Sequence, residues 1–270
     1  MDVALYLQRI GYTGPIEHSV DTLRRLQRGH LMSIPYENLD IHLGRRIVLD
    51  EAKIFQKIVI EKRGGWCFEM NGLMAGVLRE LGFDVQLLSA TVGSVPQGDD
   101  PGGGHLVLLV QLDRPYFVDV GFGDGFLEPI PLEVGDFRHG FLSYRLSKEG
   151  DRWMVHNHPG GRASQFNLTL QPYRFEEFAA KNHELQTSPT SGFVQTTVSY
   201  RFTSDSVLCL RGAILKIVDK DGVSEQVIDN QAQYEQTLRD RFDLDLGDLS
   251  DLWPRVWERH LAWAAAQNAC

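Results

Sequence analysis

Arg63-Gly64-Gly65-Trp66-Cys67-Phe68-Glu69-Met70-Asn71 is the stretch of sequence from which the fold can be read. Its two glycines allow a tight turn, because glycine adopts backbone conformations that other residues avoid. A helical pattern follows the turn and ends at Gly82, a residue type typical of the position after a helix. Cys67 is therefore predicted at the start of a helix. The apolar residues that define this helix are Met70, Leu73, Met74, Val77, Leu78 and Leu81.

The start of a helix is a favourable place for a cysteine nucleophile. Its free N–H groups and the positive end of the helix dipole stabilise a thiolate, so we expect the pKa of Cys67 to lie well below the ~8.5 of a free cysteine. The same N–H groups can bind an oxyanion. A free cysteine is more often a small buried apolar residue, but packing alone needs neither the glycines nor the helix start. The pattern therefore indicates a catalytic cysteine.

A cysteine nucleophile needs a base, and His105 has the most favourable position among the 9 histidines. It follows the glycines at 102–104 and opens an apolar strand, which places it at a strand edge. Asp119 lies inside the apolar run 116–120, which a turn at 113–115 joins to the His105 strand. Because a hairpin brings the two strands together and a buried carboxylate needs a partner, we predict that Asp119 orients His105.

The remaining cysteines are not predicted to react. Cys209 lies in an apolar strand pattern, and Cys270 is the last residue. The 3 cysteines form no CxxC pair and cannot all be joined in disulfides, which is typical of a reducing compartment. Residues 1–10 do not resemble a signal peptide, and no apolar run approaches the ~20 residues that span a bilayer. The sequence therefore predicts a cytoplasmic protein.

Length and charge limit the fold and the partners. A chain of 270 residues with 43% hydrophobic and 23% charged residues is typical of a globular protein of two or three packed parts. The net charge of −9 repels polyanions, and no run of Lys and Arg offers a local exception. We therefore expect neither nucleic acid nor a membrane as a partner, and favour a small molecule.

Hydrophobic periodicity divides the chain into three parts. The first part has helical spacing, with Asp2, Ser19 and Asp50 as N-caps and a break at 34–39. From Asp84 the period becomes that of short strands separated by turns, which indicates a compact barrel. The last part mixes strands and helices. The predicted strands are 85–91, 105–112, 116–120, 141–146, 153–156, 166–170, 193–202, 207–210 and 213–218, and the later helices are 234–242 and 252–266.

Other patterns are weaker. The loop Gly121-Phe122-Gly123-Asp124-Gly125 allows a ligand close to its backbone, but it lacks the spacing and the lysine of a phosphate-binding P-loop. His156 and His158 alternate along one strand, yet without a third ligand nearby they do not indicate a metal site. Three tryptophans near the C-terminus repeat at helical spacing, which is more typical of a core than of a cofactor site. They are Trp253, Trp257 and Trp263.

Together the motifs resemble those of the arylamine N-acetyltransferase family. The family signature R-G-G-x-C-x-E-x-N is matched from Arg63 to Asn71, and its P-x-E-N-L element at residues 35–39. His105 and Asp119 follow at family-like spacings, the second inside a family-like V-D-V-G-F-G block. The matching elements extend from about residue 34 to residue 123, and the chain length is similar to that of bacterial members.

The resemblance implies an α+β fold in three parts. These are an N-terminal helical domain at 1–83, a central β-barrel domain at 84–190 and a C-terminal α/β lid at 191–270. The first domain would carry Cys67, and the second would carry His105 and Asp119. Together they would form a catalytic core similar to papain-like and transglutaminase-like cysteine enzymes.

The resemblance also implies a reaction. Cys67 would take the acetyl group from acetyl-CoA and pass it to an arylamine or arylhydrazine, His105 would handle the proton, and Asp119 would orient His105. No metal is implied, and a homo-oligomer is allowed but not specified. No motif after residue 124 identifies the side chains that hold the adenosine phosphates of CoA. The further residues implied are Glu37 and Arg63 as support for the triad, Phe122 in the acceptor pocket and Gly123 near bound CoA.

Three other functions stay open from the sequence. An amide synthase of the same superfamily would close an aryl amide with the same triad, and only the width of its pocket would differ. A cysteine hydrolase of transglutaminase-like or papain-like type would release free acetate, but the R-G-G-W-C-F-E-M-N block favours the transferase. A binding module that has lost catalysis would have an inert Cys67.

Overall fold

The structure, a computed structural model, describes residues 1–93 and 103–268 of the chain. Gly102 and Cys270, which entered the sequence-based predictions, lie outside these residues. The described part combines helices with two antiparallel sheets, so the predicted α+β class is confirmed. None of the described helices is long and apolar enough to cross a membrane.

The N-terminal third is helical, as predicted, and its caps form as the sequence indicates. Side-chain oxygens of Asp2, Ser19 and Asp50 accept hydrogen bonds from backbone N–H groups at donor–acceptor distances of 3.2, 3.3 and 3.0 Å. These bonds satisfy amides that the first turn of a helix leaves unpaired. The helices are α1 (Val3–Arg9), α2 (Val20–Ser33), α3 (Leu39–His42), α4 (Glu51–Phe55), a π-helical turn (Gln56–Ile60) and α5 (Cys67–Glu80), with strand β1 (Tyr36–Glu37) between α2 and α3.

The middle of the chain forms an eight-stranded antiparallel sheet in the order β5-β4-β3-β2-β9-β8-β7-β6. Only residues 132–134 separate its two edge strands, β5 and β6, and a segment of that length can span at most about 10 to 15 Å, so the two edges lie close together. The sheet therefore curls into a nearly closed barrel, as predicted. Its strands are β2 (Asp84–Val92), β3 (His105–Gln111), β4 (Pro115–Val118), β5 (Ile130–Pro131), β6 (Gly135–His139), β7 (Leu142–Glu149), β8 (Arg152–His156) and β9 (Gln165–Tyr173).

The second sheet has the order β1-β10-β11-β12-β13 and joins distant parts of the chain, because β1 comes from the N-terminal third. The predicted strand 193–202 is wrong at its start: Ser191 caps a helical turn there, and the strand begins at Val198. The elements are a 3₁₀ turn (Phe175–Phe178), α6 (Ala179–Thr187), α7 (Gly192–Gln195), β10 (Val198–Phe202), β11 (Ser206–Arg211), β12 (Ile214–Asp219), β13 (Gly222–Val227), α8 (Gln231–Phe242) and α9 (Trp253–Asn268).

Two apolar clusters hold these elements together. The larger one packs α5 against the barrel strands β2 and β3, and the side chains of Trp66, Phe68 and Leu106 are fully buried in it. The smaller one lies between α8, α9 and the second sheet, and Leu39 from the N-terminal third contributes to it. The division into domains at 1–83, 84–190 and 191–270, and the likeness to a cysteine-proteinase core, stay predictions.

Candidate active site

The glycine pair before Cys67 lies in a segment that packs closely against the backbone of residues 35–37. A Cβ atom at Gly64 would overlap the carbonyl oxygen of Pro35, so no residue but glycine fits there without a shift of the backbone. Glu69 accepts a hydrogen bond from the backbone N–H of Trp66 at 3.2 Å and so caps the start of α5. The predicted helix start is confirmed, and the side chain of Cys67 is buried. The predicted tight turn is wrong: Gly65 forms a β-bridge with Tyr36 and neither glycine has a positive φ, so the glycines serve close packing instead.

The state of the Cys67 sulfur differs from the expectation. The thiol donates a hydrogen bond to the carbonyl oxygen of Gly104, at a sulfur–oxygen distance of 3.6 Å. Burial and then the charge of Asp119 raise the pKa of Cys67, whereas hydrogen bonds from the backbone N–H groups of Leu106 and Phe68 act in the opposite direction. The prediction of a low pKa caused by the helix start is wrong, because removal of the sulfur from water outweighs the amides.

His105 and Asp119 are paired as predicted. Nε2 of His105 lies 2.6 Å from Oδ2 of Asp119, and both side chains are buried. The other carboxylate oxygen of Asp119 accepts hydrogen bonds from the side chain of Asn71 and the backbone N–H of Gly121, each at 2.8 Å. Three donors thus surround the carboxylate, which compensates for its removal from water.

The hairpin of β3 and β4 explains this pairing. Leu108 lies opposite Val118, and the register continued by one residue places Asp119 opposite Val107. Val107 and His105 are two residues apart on β3, so their side chains point to the same face of the sheet. Asp119 and His105 are therefore diagonal neighbours, the second-closest cross-strand arrangement in an antiparallel pair.

Asn71 links the nucleophile to both strands, and the sequence analysis did not assign it a role. Its side-chain nitrogen donates to Asp119 and to the carbonyl oxygen of Leu106, and its side-chain oxygen accepts from the backbone N–H of Val120 at 2.9 Å. Asn71 lies four residues after Cys67, which places the two on the same face of α5. Its place in the signature motif was the signal that could have identified it.

The glycine-rich loop after β4 closes around the site. A Cβ atom at Gly121 would lie 2.7 Å from Cα of Cys67, so this backbone approaches the nucleophile directly. The ring of Phe122 lies 5.3 Å from the ring of His105 and 5.0 Å from that of Phe166, between ring centroids. Gly123 has a φ of +89°, which favours glycine, and a Cβ atom there would lie 2.6 Å from the ring of Tyr200.

Glu37 and Arg63 form a buried ion pair with an oxygen–nitrogen distance of 2.6 Å. Arg63 also contacts Asp40, and Glu37 accepts from the backbone N–H of Leu39 at 2.7 Å. Among the described residues, neither side chain has a hydrogen bond to the triad. Their connection to Cys67 runs through the backbone of Gly65, whose carbonyl oxygen accepts from the N–H of Glu37 at 2.9 Å.

A cavity of about 490 Å³ lies on the far side of this loop. Tyr200, which contacts Gly123, and Asp124 line it, whereas Cys67, His105 and Asp119 do not, so the loop at 121–124 separates it from these three residues. Its walls carry five cationic side chains, and among the described residues none of the five forms an ion pair with a carboxylate. The sequence analysis found no cationic cluster because these residues are far apart along the chain. They are Arg162, Arg211, Lys216, Arg255 and Arg259.

Comparison with known proteins decides the family. The family model described as N-acetyltransferase matches residues 19–250. The arylamine N-acetyltransferase of Mycolicibacterium smegmatis is 37% identical over 272 residues, which cover 96% of this chain and 98% of the relative. The chain belongs to the arylamine N-acetyltransferase family. It is therefore an acyltransferase.

Solved structures of arylamine N-acetyltransferases have the same fold. That of the M. smegmatis protein superimposes with a TM-score of 0.86 at 35% identity, covering 96% of this chain and 98% of that chain. The Mycobacterium marinum arylamine N-acetyltransferase in complex with CoA gives a TM-score of 0.84 at 30% identity, covering 96% and 98%. The whole described fold, and not only the signature motif, is thus shared with the arylamine N-acetyltransferases.

The structure also shows the surroundings of the histidines and the second cysteine that the sequence analysis considered. His156 and His158 both have protein partners: His156 bonds Ser147, and His158 bonds the backbone carbonyl of Asp124. The described residues contain no cluster of three or more metal-binding side chains. Cys209 is buried, and burial raises its pKa to about 11, but it lines the cavity and does not lie in a purely apolar core.

The three tryptophans of this arylamine N-acetyltransferase differ in their surroundings. Trp253 is buried in the smaller apolar cluster, as predicted. Trp257 stacks on it, with ring centroids 5.6 Å apart. Trp263 is 51% exposed and lines the mouth of the cavity, so its assignment to the core is wrong. The helical spacing predicted the shared face of α9 but not where the apolar cluster ends along it.

Proposed function

We propose that the chain transfers the acetyl group of acetyl-CoA to the nitrogen of an arylamine or arylhydrazine through an acetyl-Cys67 intermediate. The observation that carries the proposal is the 2.6 Å contact between His105 Nε2 and Asp119 Oδ2, in a buried site that also encloses Cys67. Thiol, imidazole and carboxylate correspond to the nucleophile, base and orienting group of covalent acyl transfer.

In the first half-reaction, Cys67 gives its proton to Nδ1 of His105 and its sulfur attacks the thioester carbonyl of acetyl-CoA. The raised pKa of Cys67 means that this proton leaves only when His105 accepts it, so ionisation and attack are coupled. Collapse of the tetrahedral intermediate breaks the bond between the carbonyl carbon and the CoA sulfur. His105 returns the proton to that sulfur, and free CoA leaves.

In the second half-reaction, the amine nitrogen attacks the acetyl carbonyl on Cys67. The amine loses a proton to His105, the bond from the carbonyl carbon to the Cys67 sulfur breaks, and the proton returns to that sulfur. Asp119 holds the imidazole ring in place and stabilises its protonated form in both halves. The N–H groups of Phe68 and Leu106, which point to the sulfur, are suited to donate to the developing oxyanion as well.

For the acceptor we propose the aromatic wall formed by Phe122 and Phe166. Both rings contact the ring of His105, at centroid distances of 5.3 Å each. Edge and face contacts between aromatic rings favour an aryl group at this place, and the amine would then lie beside the nucleophile.

For CoA we propose the large cavity. Gly123 lies between it and the triad, so a pantetheine arm in the cavity would point its thioester to Cys67. The 3′-phosphate and the diphosphate of CoA carry the negative charges that the cavity cations attract. This support is local, because the chain as a whole has a net charge of −9. The M. marinum relative, solved as a complex with CoA, supports the choice of ligand.

Arg211 offers a test of the CoA cavity. Its Nη1 is buried and has no partner among the described residues, and burial followed by the charge of Arg162 lowers its pKa. We expect Arg211→Gln to raise KM for acetyl-CoA on the order of 10-fold, since one charge-assisted hydrogen bond to a phosphate is lost. The kcat at saturating acetyl-CoA should change by less than about 2-fold, measured by release of free CoA.

Two controls accompany this variant. Arg145→Gln removes an exposed arginine paired with Asp136 and should leave KM for acetyl-CoA unchanged. An aryl acetate ester used as donor has no phosphates, so Arg211→Gln should not affect its turnover. A KM for acetyl-CoA equal to that of the unmutated enzyme would place the phosphates elsewhere.

Steady-state kinetics test the covalent mechanism. One nucleophile carries the acetyl group between two substrates that need not be bound together, so rates against amine at several acetyl-CoA concentrations should give parallel double-reciprocal lines. Lines that intersect would indicate a ternary complex and rule out the acetyl-enzyme route. Free acetate without acetylated amine would instead identify a cysteine hydrolase. Closure of a long substrate, in which its own aryl amine attacks its enzyme-bound acyl group to form a cyclic amide, would identify an amide synthase.

A further inference from the structure

A network of charged side chains lies next to residues 63–66, the segment that precedes Cys67. Lys57 Nζ lies 2.8 Å from Oδ2 of Asp40 and 2.9 Å from Oε1 of Glu69. Arg63 Nη2 lies 2.6 Å from Glu37 and 2.9 Å from Asp40. Asp40 also lies 3.7 Å from Nη1 of Arg45, whose side chain is exposed. Three carboxylates thus face two largely buried cations and one exposed cation, and among the described residues the loss of Lys57 leaves Glu69 with no cation in contact.

Lys57 reaches this network from an unusual backbone. It lies in the π-helical turn Gln56–Ile60, and π-helical turns are rare and frequently found at functional sites. Its side chain is 13% exposed. Although burial opposes it, the charges of Glu69, Glu37 and Asp40 raise the pKa of Lys57, so the side chain stays an ammonium. Within the described residues, Lys57 is the one cation in contact with Glu69.

Glu69 connects the network to the nucleophile. One of its oxygens accepts the backbone N–H of Trp66, which directly precedes Cys67. Its side chain also lies so close to Gly65 that a Cβ atom there would be 2.9 Å from it. The position of Glu69 therefore determines the path of the chain into α5, and Lys57 holds Glu69.

We propose that Lys57 is a positioning residue for Cys67: it neutralises Glu69, which fixes the start of α5 and prevents the Glu69 charge from opposing the thiolate. The assignment rests on the proposed function only for the reaction that Cys67 performs. The effect on the sulfur itself is measurable without any acetyl donor.

Four groups near Cys67 could affect its ionisation, and Lys57 acts on only one of them. Asp119 and Glu69 both raise its pKa, His105 is its proton acceptor, and Tyr36 packs nearby on β1. Of these groups, Lys57 is in contact with Glu69 alone. Burial raises the pKa of Glu69, and the charge of Lys57 offsets part of that rise, so Lys57 favours the carboxylate form and compensates its charge.

The test is the pH profile of iodoacetamide labelling of Cys67, read by peptide mapping. Lys57→Met removes a positive charge and so destabilises the thiolate, which should move the labelling midpoint about one unit to higher pH. Turnover at pH 7 should fall on the order of 10-fold with little change in either KM, and the loss should shrink as pH rises. Lys57→Arg keeps the charge and should restore both.

The double variant Lys57→Met with Glu69→Gln distinguishes the charge effect from loss of packing. The glutamine oxygen can still accept the N–H of Trp66, and no unpaired carboxylate remains, so the labelling midpoint should return toward that of the unmutated enzyme. Lys181→Met, which breaks the surface pair with Glu184, is the matched control and should leave the profile unchanged. Thermal unfolding of each variant reports whether it is folded.

Two outcomes overturn the proposal. The labelling midpoint of folded Lys57→Met could coincide with that of the unmutated enzyme, or the double variant could shift as far as the single one. If instead the unmutated enzyme forms no acetyl-Cys67 but Lys57→Met still shifts the labelling midpoint, the proposed acetyl transfer fails while the role of Lys57 stands.

Discussion

Replacing Cys67 by serine should reduce arylamine acetylation by roughly 10⁴-fold or more, because nothing else in the site can carry the acetyl group. The hydroxyl is nearly the same size as the thiol, so the buried site should keep its shape. A serine hydroxyl has a far higher pKa than a thiol, so the His105 imidazole, which accepts the proton of a thiol in the proposed mechanism, would activate it much less. The measurement is acetylated amine formed per enzyme over time.

Mass spectrometry gives the second readout for Cys67. Acetyl-CoA without acceptor, followed by an acid quench, should leave one acetyl group on the peptide that contains Cys67, and none in Cys67→Ser. The peptide that contains Cys209 provides an internal comparison, because that thiol is buried in the cavity and burial raises its pKa to about 11. An acetyl group found on Cys209 instead of Cys67 would show that the nucleophile is assigned wrongly.

Local sequence signals predicted the helical part of the site correctly. A glycine pair before the helix, an apolar stripe along it and a glycine after it act within a few turns of chain, so they specify the helix without knowledge of its neighbours. Gly82 has a φ of +86° and ends α5 where the pattern placed it. The hairpin that carries His105 and Asp119 was equally predictable, because a short turn sets the register of two adjacent strands.

Features that depend on distant contacts were not predictable in this way. The cationic side chains of the cavity come from β11, β12, α9 and the loop after β8, and no sequence window contains them together. A net charge of −9 therefore gave no sign of a local anion site. Strand β13 was missed because all six of its residues are exposed, which removes the alternation that marks a half-buried strand.

The pKa of Cys67 was also not predictable from the sequence, because it depends on burial by distant parts of the chain. The sequence revealed the helix start, where the N–H of Phe68 does favour the thiolate. It could not reveal how completely the barrel and the loop at 121–123 remove the sulfur from water, and that burial has the largest effect on the pKa. In the proposed mechanism His105 takes the proton of Cys67, so the orientation of that ring would determine the rate.

Replacing Asp119 by asparagine tests this dependence on His105. Oδ1 of Asp119 accepts hydrogen bonds from Asn71 and from the N–H of Gly121, so an asparagine oxygen would stay at that place. Its NH₂ group would then face Nε2 of His105. A donor there makes Nε2 an acceptor and moves the ring proton to Nδ1, the nitrogen that must receive the proton of Cys67.

The substitution Asp119→Asn therefore places a proton on Nδ1 of His105, which blocks that nitrogen as a base, and it also removes the charge that stabilises the imidazolium. We expect kcat of Asp119→Asn to fall about 10⁴-fold, as for the equivalent change in serine enzymes, with KM for acetyl-CoA nearly unchanged. Loss of the Asp119 charge by itself favours the Cys67 thiolate. Because Asp119 contacts His105 directly, the effect on the imidazolium is larger, and labelling of Cys67 by iodoacetamide at neutral pH should slow.

The matched control is Asp136→Asn, which removes an exposed aspartate paired with Arg145 and should change neither kcat nor labelling. Asp119→Asn must also be shown to fold. A thermal unfolding midpoint close to that of the unmutated enzyme would exclude collapse of the site as the cause of the lost activity. The pairing of His105 with Asp119 would be structural and not catalytic if folded Asp119→Asn kept kcat within about 10-fold of the unmutated enzyme and labelled Cys67 at the same rate.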